Sequence, residues 1–435
     1  MALPENDLPE VPDGFEIGIA QSDTAVDELV EFNTKVHNRG DAAALRNLIN
    51  NLPGFSREMN FYIRDTDKDM IVSSLNAIPS TWDYDGVPLK NLELGYVGTL
   101  EGYRRRGFMR ILYQLFEKHL HDGEYDISTI QGIPYVYRNF GYDFILPLAK
   151  TVSIRVDQIP SKDELYPSTV SDVSIREAQE SDLDAIMKLY DQQREKFLVT
   201  ARRSQELWTL QERYKKEYAA DFTTLVVATR GTIQGYFRLV SRGDASKPES
   251  GATLDVIESS IASFSGVLST LKFLRTEAIS KGLYRITLPG SRLSNLTRLA
   301  LDMGGEMSRG WKYQIRIPDM LRFLRKIQPV LETRLNGTMF EGLSYTLPLN
   351  TYRHCYELEI VGGTIVGITD SGPSEVGEKT DVRAPPMDFV RLVLGDYRID
   401  ELSKVNIDFL VSGKVKSLVS TLFPQKESLI SFYHC

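Results

Sequence analysis

One stretch of this sequence gathers residue types that handle anions: Tyr96-Val97-Gly98-Thr99-Leu100-Glu101-Gly102-Tyr103-Arg104-Arg105-Arg106-Gly107-Phe108-Met109-Arg110. A strand-like run gives way to a loop of glycines and arginines. Apolar residues then recur at Phe108, Ile111, Leu112, Leu115 and Phe116, the spacing of one helix face. A helix that opens here presents unpaired backbone N–H groups and the positive end of its dipole, which suits a pyrophosphate. Gly107 would let a phosphate come close to the backbone. The arginines would add charge-assisted hydrogen bonds to its oxygens. Val97, Gly98, Thr99, Arg104, Arg105, Arg106, Gly107, Phe108, Met109 and Arg110 are the candidate anion-binding set. Arg-x-x-Gly alone is not specific, since it recurs at Arg138/Gly141 and Arg334/Gly337; only the first copy lies between a strand and an amphipathic helix.

A second segment follows: Gln131-Gly132-Ile133-Pro134-Tyr135-Val136-Tyr137-Arg138-Asn139-Phe140-Gly141-Tyr142. Here a strand ends, a short helix carries tyrosines, and Phe-Gly-Tyr turns the chain. In order and spacing, the strand, Arg-x-x-Gly loop, helix, strand and Tyr-x-x-Phe-Gly-Tyr segment resemble the GNAT superfamily of N-acetyltransferases over residues 15–150. That family usually has Gly or Ala where Met109 stands. Two such blocks ahead of a different C-terminal region resemble, more narrowly, the enhanced intracellular survival (Eis) family, with its tandem GNAT folds and a sterol-carrier-like α+β domain.

The resemblance implies acetyl-coenzyme A as co-substrate, with no metal. It implies an amine acceptor, in the best-known members an aminoglycoside, and a homo-oligomer, a hexamer being one such assembly. Tyr137 matches the family's general acid: a tyrosine of pKa about 10 can return a proton to a thiolate of pKa about 8.5. The Val97–Thr99 strand matches the one whose backbone N–H groups meet the oxyanion, with Val97 as donor. The family's base is the terminal carboxylate, here that of Cys435, although this chain ends Phe432-Tyr433-His434-Cys435 where the family favours a terminal aromatic. Glu93, on the strand before the loop, is the alternative base, or else an ordinary exposed strand residue. The second block has Ser259-Ser260-Ile261-Ala262 in place of the Arg-x-x-Gly loop and is expected to bind no cofactor.

Positioning these residues takes a mixed α/β, α+β architecture. Apolar patterning predicts strands at 15–20, 60–64, 69–77, 92–100 and 126–131, a helix after a Ser22-Asp23 cap with Val26, Leu29, Val30 and Phe32 on its apolar face, and helices at about 41–51, 107–120 and 134–139. Ser80–Asn91, with Trp82, Gly86 and Pro88, reads as a hairpin turn. The strand–helix order recurs from Val173, with strands at 222–228, 233–241, 252–257 and 283–288 and a helix at 266–281. From Pro318 the pattern changes to a long helix (318–335), strands near 338–347, 354–361 and 364–369, and an apolar helix, Met387–Leu394. The expected division is a catalytic block 1–156, a Pro- and Ser-containing linker 157–172, a degenerate block 173–317 and a sterol-carrier-like block 318–435.

The 435 residues exceed what one core holds. Their 42% hydrophobic and 25% charged content is ordinary for a soluble chain. No run of about 18 apolar residues predicts a membrane span. A net charge of −8 disfavours nucleic acid. Two cysteines give no disulfide framework, and a cytoplasmic location is expected. His119 and His121 read as surface residues rather than metal ligands. Residues 1–101 hold 18 acids against 7 bases, whereas 102–150 hold 5 against 7, an acidic mouth beside a basic groove that suits a cationic amine. Two other functions fit the sequence: a non-catalytic lipid- or ligand-binding protein built on the third block, and an acetyltransferase acting on peptide or protein amines. Neither a GxxxxGK[ST] nor a GxGxxG loop points to a nucleotide-hydrolysing or dinucleotide enzyme.

Overall fold

A computed structural model describes residues 9–37, 42–148, 150–161, 172–215, 221–243, 251–373 and 381–430. Most of the expected linker (162–171) and the end of the chain from 431, with Cys435, lie outside them. The described residues form three sheets.

The first sheet begins with β1 (Phe15–Ile19), then crosses helices α1 (Asp23–His37) and α2 (Ala42–Asn51) to β2 (Asn60–Asp65), β3 (Met70–Tyr84) and β4 (Val87–Thr99). Helix α3 (Phe108–Asp122) leads to β5 (Ile127–Ile130), and a 3₁₀ turn (Val136–Phe140) leads to β6 (Asp143–Leu148). The four strands β1 to β4 pair antiparallel, and β4 pairs with β5 in parallel. Helices α1 and α2 bury Val26, Leu29, Leu45 and Leu48 against one face of this sheet. On the other face, α3 buries Phe108, Leu112, Leu115 and Phe116, the apolar positions of its sequence.

The segment read as a turn, 80–91, is instead mostly strand. β3 runs on to Tyr84 and β4 starts at Val87, so only Asp85 (φ 49°) and Gly86 (φ 92°) turn the chain. Both have positive φ, the backbone of a two-residue hairpin turn that Asp-Gly favours. Pro88 sits near the tip, opposite Asp83.

The second sheet takes β7 (Thr151–Arg155) from before the linker, then β8 (Val173–Glu177). After α4 (Leu183–Arg194), the short strand β9 (Val199–Arg202) joins β3 of the first sheet rather than the second. Helix α5 (Gln205–Arg213) precedes β10 (Thr223–Thr229), β11 (Thr232–Arg242) and β12 (Thr253–Ile261). Helix α6 (Phe264–Ser280), β13 (Arg285–Pro289), α7 (Asn295–Asp302) and β14 (Glu306–Met307) complete it. The next strand, β15 (Trp311–Arg316), returns to the first sheet, between β5 and β6.

The first sheet therefore runs β1-β2-β3-β4-β5-β15-β6, and the second runs β8-β10-β11-β12-β13-β7-β14. The orders correspond strand for strand. In each, a parallel pair is followed by a strand that comes from the other sequence block.

The third sheet, in the order β18-β17-β16-β19-β20, is formed by β16 (Tyr345–Asn350), β17 (Cys355–Val361), β18 (Thr364–Asp370), β19 (Val382–Arg383) and β20 (Leu410–Val411). Helices α8 (Met320–Leu335), α9 (Pro386–Val393), α10 (Ile399–Val405) and α11 (Lys416–Leu422) accompany it. The β3–β4 hairpin plugs into this block: Trp82, Tyr84 and Leu89 share a core with Phe323, Leu324 and Phe389. The Tyr84 hydroxyl donates to the Val393 carbonyl at 2.8 Å. Arg334 and Lys426 both pair with Asp85, at 3.0 and 2.6 Å.

Candidate active site

Strand β4 is central to the site. Its ladder with β5 covers only Asn91–Glu93 opposite Ile127–Thr129, so beyond Glu93 the two strands part and a gap opens in the sheet. On the other edge, the pairing with β3 slips by one residue between Ser74 and Asn76. Opposite that slip Tyr96 takes φ 45°, a conformation a bulky residue adopts only where packing holds it. Val97 and Thr99 are half-buried and Gly98 is buried. Gly98 has no room for a side chain: a Cβ would lie 2.7 Å from Val36 Cγ1 and 3.4 Å from His37 Nε2. The end of α1 thus lies against β4 at the gap.

Past Thr99 the chain makes a 3₁₀ turn, Glu101–Tyr103, and reaches Gly107 with φ 84° and ψ 0°. Gly107 is the N-cap of α3, and among the described residues no side chain caps the helix. Helices α5, α6, α7 and α8 all have a serine or aspartate accepting a first-turn N–H. The α3 terminus is left open, with its first-turn N–H groups available to an anion. A Cβ on Gly107 would meet nothing within 4 Å, so the space above it is free. Arg104, Arg105, Arg106 and Arg110 are exposed, and among the described residues none has a carboxylate partner. Arg104 Nε donates to the Thr99 carbonyl at 3.4 Å, and Arg106 stacks over Phe15 and Tyr103, 5.6 and 5.2 Å from the ring centroids. Phe108 is buried in the core and Met109 packs at its edge.

Tyr137 lies in the turn that follows β5 and is 7% exposed. A Cβ on Gly132 would fall 2.2 Å from its ring, so this glycine makes room for it. Burial pushes its hydroxyl up to about 12. Its neighbours are otherwise engaged: the Tyr142 hydroxyl is bonded to Ser128 at 2.6 Å, and Tyr135 is 73% exposed.

Glu93 is not the exposed strand residue that its sequence allowed. It is 6% exposed, at the fork where the ladder ends, and accepts a 3.1 Å hydrogen bond from Gln131 Nε2. His119, read as a surface residue, is half-buried with its ring 5.0 Å from Phe61, and burial lowers its pKa. His121 is exposed and pairs with Glu117 at 3.6 Å. Among the described residues, no three His, Cys, Asp or Glu side chains cluster as metal ligands, and no helix is long and apolar enough to cross a membrane.

Several residues at this fork were not foreseen. His37 lies beside Gly98, with its ring 6.0 Å from Tyr96. Tyr313 and Gln314 arrive on β15, where Gln314 Nε2 donates to the Gly132 carbonyl at 2.9 Å and the Tyr313 hydroxyl lies 3.4 Å from Gln131. A lone histidine, and a strand some 180 residues away, carry no local sequence signal.

Residues 22–145 match the family model described as Acetyltransferase (GNAT) domain. No curated protein is significantly similar to the chain in sequence. Among solved structures, the fold matches a GCN5-related N-acetyltransferase from Anabaena variabilis ATCC 29413, at TM-score 0.69 and 14% identity. It also matches a conserved protein of unknown function from Enterococcus faecalis V583, at 0.73 and 13%, and Eis1 from Mycobacterium abscessus, at 0.63 and 12%. Each alignment covers 96% of this chain and 99% of the other. The region that holds the forked strands and the open helix terminus thus matches the GNAT acetyltransferase domain model, and the chain shares the fold of these solved structures.

Proposed function

We propose that this chain transfers an acetyl group from acetyl-coenzyme A to an amine, and that the acceptor is a small cationic molecule such as a polyamine or an aminoglycoside. The observation that carries this reading is the conjunction of the β4–β5 gap with a helix N-terminus and four arginines that, among the described residues, have respectively no side-chain cap and no carboxylate partner. The pyrophosphate would lie on the N–H groups of Gly107, Phe108 and Met109 with Arg104, Arg105, Arg106 and Arg110 around it, and the thioester arm would enter the gap along Val97–Thr99.

In the transfer, the neutral amine attacks the thioester carbonyl carbon. The oxyanion takes a hydrogen bond from the Val97 N–H. As the C–S bond breaks, the thiolate takes a proton from Tyr137, and the proton lost by the new amide nitrogen returns to the site through a base. Glu93, buried at the fork, supports one identity for that base; the α-carboxylate of Cys435 is the other, and His37 at the end of α1 is within the same wall.

The division of the chain belongs to the same proposal: residues 1–156 as the catalytic block, 173–317 as a degenerate GNAT block, 318–435 as a sterol-carrier-like block, in a cytoplasmic homo-oligomer such as a hexamer. The matching strand orders support the tandem reading. The Ser263 hydroxyl supports the degeneracy, because it accepts the Gly266 N–H at 3.2 Å and fills the helix terminus that α3 leaves open.

Titration calorimetry of acetyl-coenzyme A into the intact chain tests binding, and release of free thiol with spermine, an aminoglycoside and a lysine peptide tests the acceptor. Saturable binding with faster release from the small polycations is expected. No heat with any acyl-coenzyme A overturns the assignment, and equal turnover of neutral and cationic amines overturns the choice of acceptor.

A further inference from the structure

The second sheet keeps a fork of its own. The parallel ladder of β12 with β13 ends at Asp255 opposite Thr287, as that of β4 with β5 ends at Glu93. Immediately beyond it lies a cavity of about 810 Å³, lined by Val256–Ser259 on one side and Pro289–Ser291 on the other. That is the volume of a site for a drug-sized ligand. Tyr190 closes it from α4, Trp311 from β15, and Leu429 and Ile430 from the last described segment. None of the anion-binding set, and neither Tyr137 nor Glu93, belongs to this wall.

The charges of the wall are arranged unequally. Lys312 pairs with Asp396 at 2.7 Å, Arg242 with Asp255 at 2.8 Å, and Lys426 with Asp85 at 2.6 Å. Glu258 is taken up by the buried Arg203 and Arg238, and Glu427 accepts the Ser291 hydroxyl at 2.7 Å. Two cations remain. Among the described residues, neither the Lys150 nor the Arg309 side chain makes a hydrogen bond or ion pair, and both line the cavity. Lys150 is half-buried and Arg309 exposed, so they stand toward the mouth beside Trp311, which is 45% exposed. With Glu427 counted against them, the wall carries one positive charge over largely apolar sides.

We propose that this cleft is a second small-molecule site, specific for a monocarboxylate with an apolar body, whose carboxylate is met by Lys150 and Arg309 and whose hydrocarbon lies between Val256, Ile257, Pro289 and Trp311. The helix terminus on this wall, that of α7, is already capped by the Ser294 hydroxyl, which accepts the Thr297 N–H at 3.4 Å, and so offers a pyrophosphate little. A headless, acyl-like anion therefore fits it, where a nucleotide-bearing one does not. The site is independent of acetyl transfer in the first block.

The protein carries its own reporter. Of its three tryptophans, Trp82 and Trp208 are fully buried and do not line the cavity, whereas Trp311 does. Octanoate, octanol and octylammonium are titrated into the full-length chain while tryptophan emission is followed, with calorimetry in parallel. A saturable change with octanoate is expected. It should be weaker for octanol, absent for octylammonium, and silent in emission but preserved in heat for Trp311→Phe. The double variant Lys150→Met with Arg309→Met should bind octanoate roughly tenfold more weakly or worse. No saturation with octanoate, equal affinity for octylammonium, or an unchanged affinity in the double variant each overturns the proposal. Acetyl-coenzyme A titrated into the same sample separates the two readings: a chain that takes it up but ignores octanoate loses this inference alone.

Discussion

At the scale of single residues, Tyr137 is the sharpest case. Burial pushes its hydroxyl up to about 12, so it stays protonated across any workable assay range, as the proposed general acid must. Tyr137→Phe should lower kcat by roughly 10²–10⁴-fold and leave the affinity for acetyl-coenzyme A nearly unchanged. Because the raised value lies above the range, no loss of rate between roughly pH 7 and pH 10 should be traceable to this residue, and the profiles of the two proteins should share one shape. A variant that retains full kcat would remove Tyr137 from the mechanism. The residues that were legible in the sequence are those whose role is local. Gly107 needs positive φ at a helix start, the arginines flank it, and Tyr137 follows a strand end; each is visible within a dozen positions. Glu93 was legible as an acid on the right strand but not as a buried one, because its burial depends on Gln131 and on the fork that β5 makes with it. His37 was invisible, since only the close approach of α1 at Gly98 gives it a place.

Among elements, the long hairpin and the second sheet show what periodicity can and cannot supply. The sequence marked Trp82, Gly86 and Pro88 as breakers, yet Trp82 is buried in a core built by the third block, and the Asp85-Gly86 pair alone makes the turn. Strands β9 and β15 are short segments whose partners lie far off in sequence, and no local pattern announces such a partner. The buried charges of β11 and β12, joined by Arg203 from just past β9, are another long-range construction. Arg203 and Arg238 meet Glu258, with Arg203 4.6 Å and Arg238 4.6 Å from the Trp208 ring and the Tyr236 hydroxyl donating to Glu258 at 2.8 Å. Burial opposes the carboxylate charge, but the two guanidinium groups outweigh it and hold Glu258 at about 2. The folded value lies below the unfolded one of about 4.3. The stabilisation is therefore complete above that pH and drains away as pH falls toward the folded value. Glu258→Gln should cost about 3–5 kcal/mol at neutral pH, by leaving the buried Arg203 without its counter-charge while Arg238 keeps Glu212 at 2.8 Å, and should flatten the acid limb of the stability curve. Denaturant melts of both proteins between neutral pH and pH 3 check this; parallel acid limbs would show that Glu258 does not set the slope.

For the molecule as a whole, the exchange of strands decides what can exist alone. The expected catalytic block, 1–156, contains β7, which has its partners in the second sheet, and lacks β15, which fills the place between β5 and β6. β15 also brings Arg316 to the Tyr113 hydroxyl at 2.7 Å and to Glu117 on α3, and Gln314 to the turn that carries Tyr137. Cutting after residue 156 would leave β5 and β6 each with a bare edge and an orphan strand beside them, the arrangement most prone to edge-to-edge aggregation. It would also strip the hairpin tip of the core that covers Trp82, Tyr84 and Leu89. A fragment of residues 1–156 should therefore be insoluble or melt without a cooperative transition, and should bind no acetyl-coenzyme A even though it holds every residue of the anion-binding set. Co-expression with 157–435 should restore a cooperative complex, because the missing strand and core return with that piece. If the fragment alone melts cooperatively and takes up the ligand with the affinity of the whole chain, the exchanged strand contributes nothing to the site. The site would then be the property of one block that the sequence suggested, rather than of two blocks folded through each other.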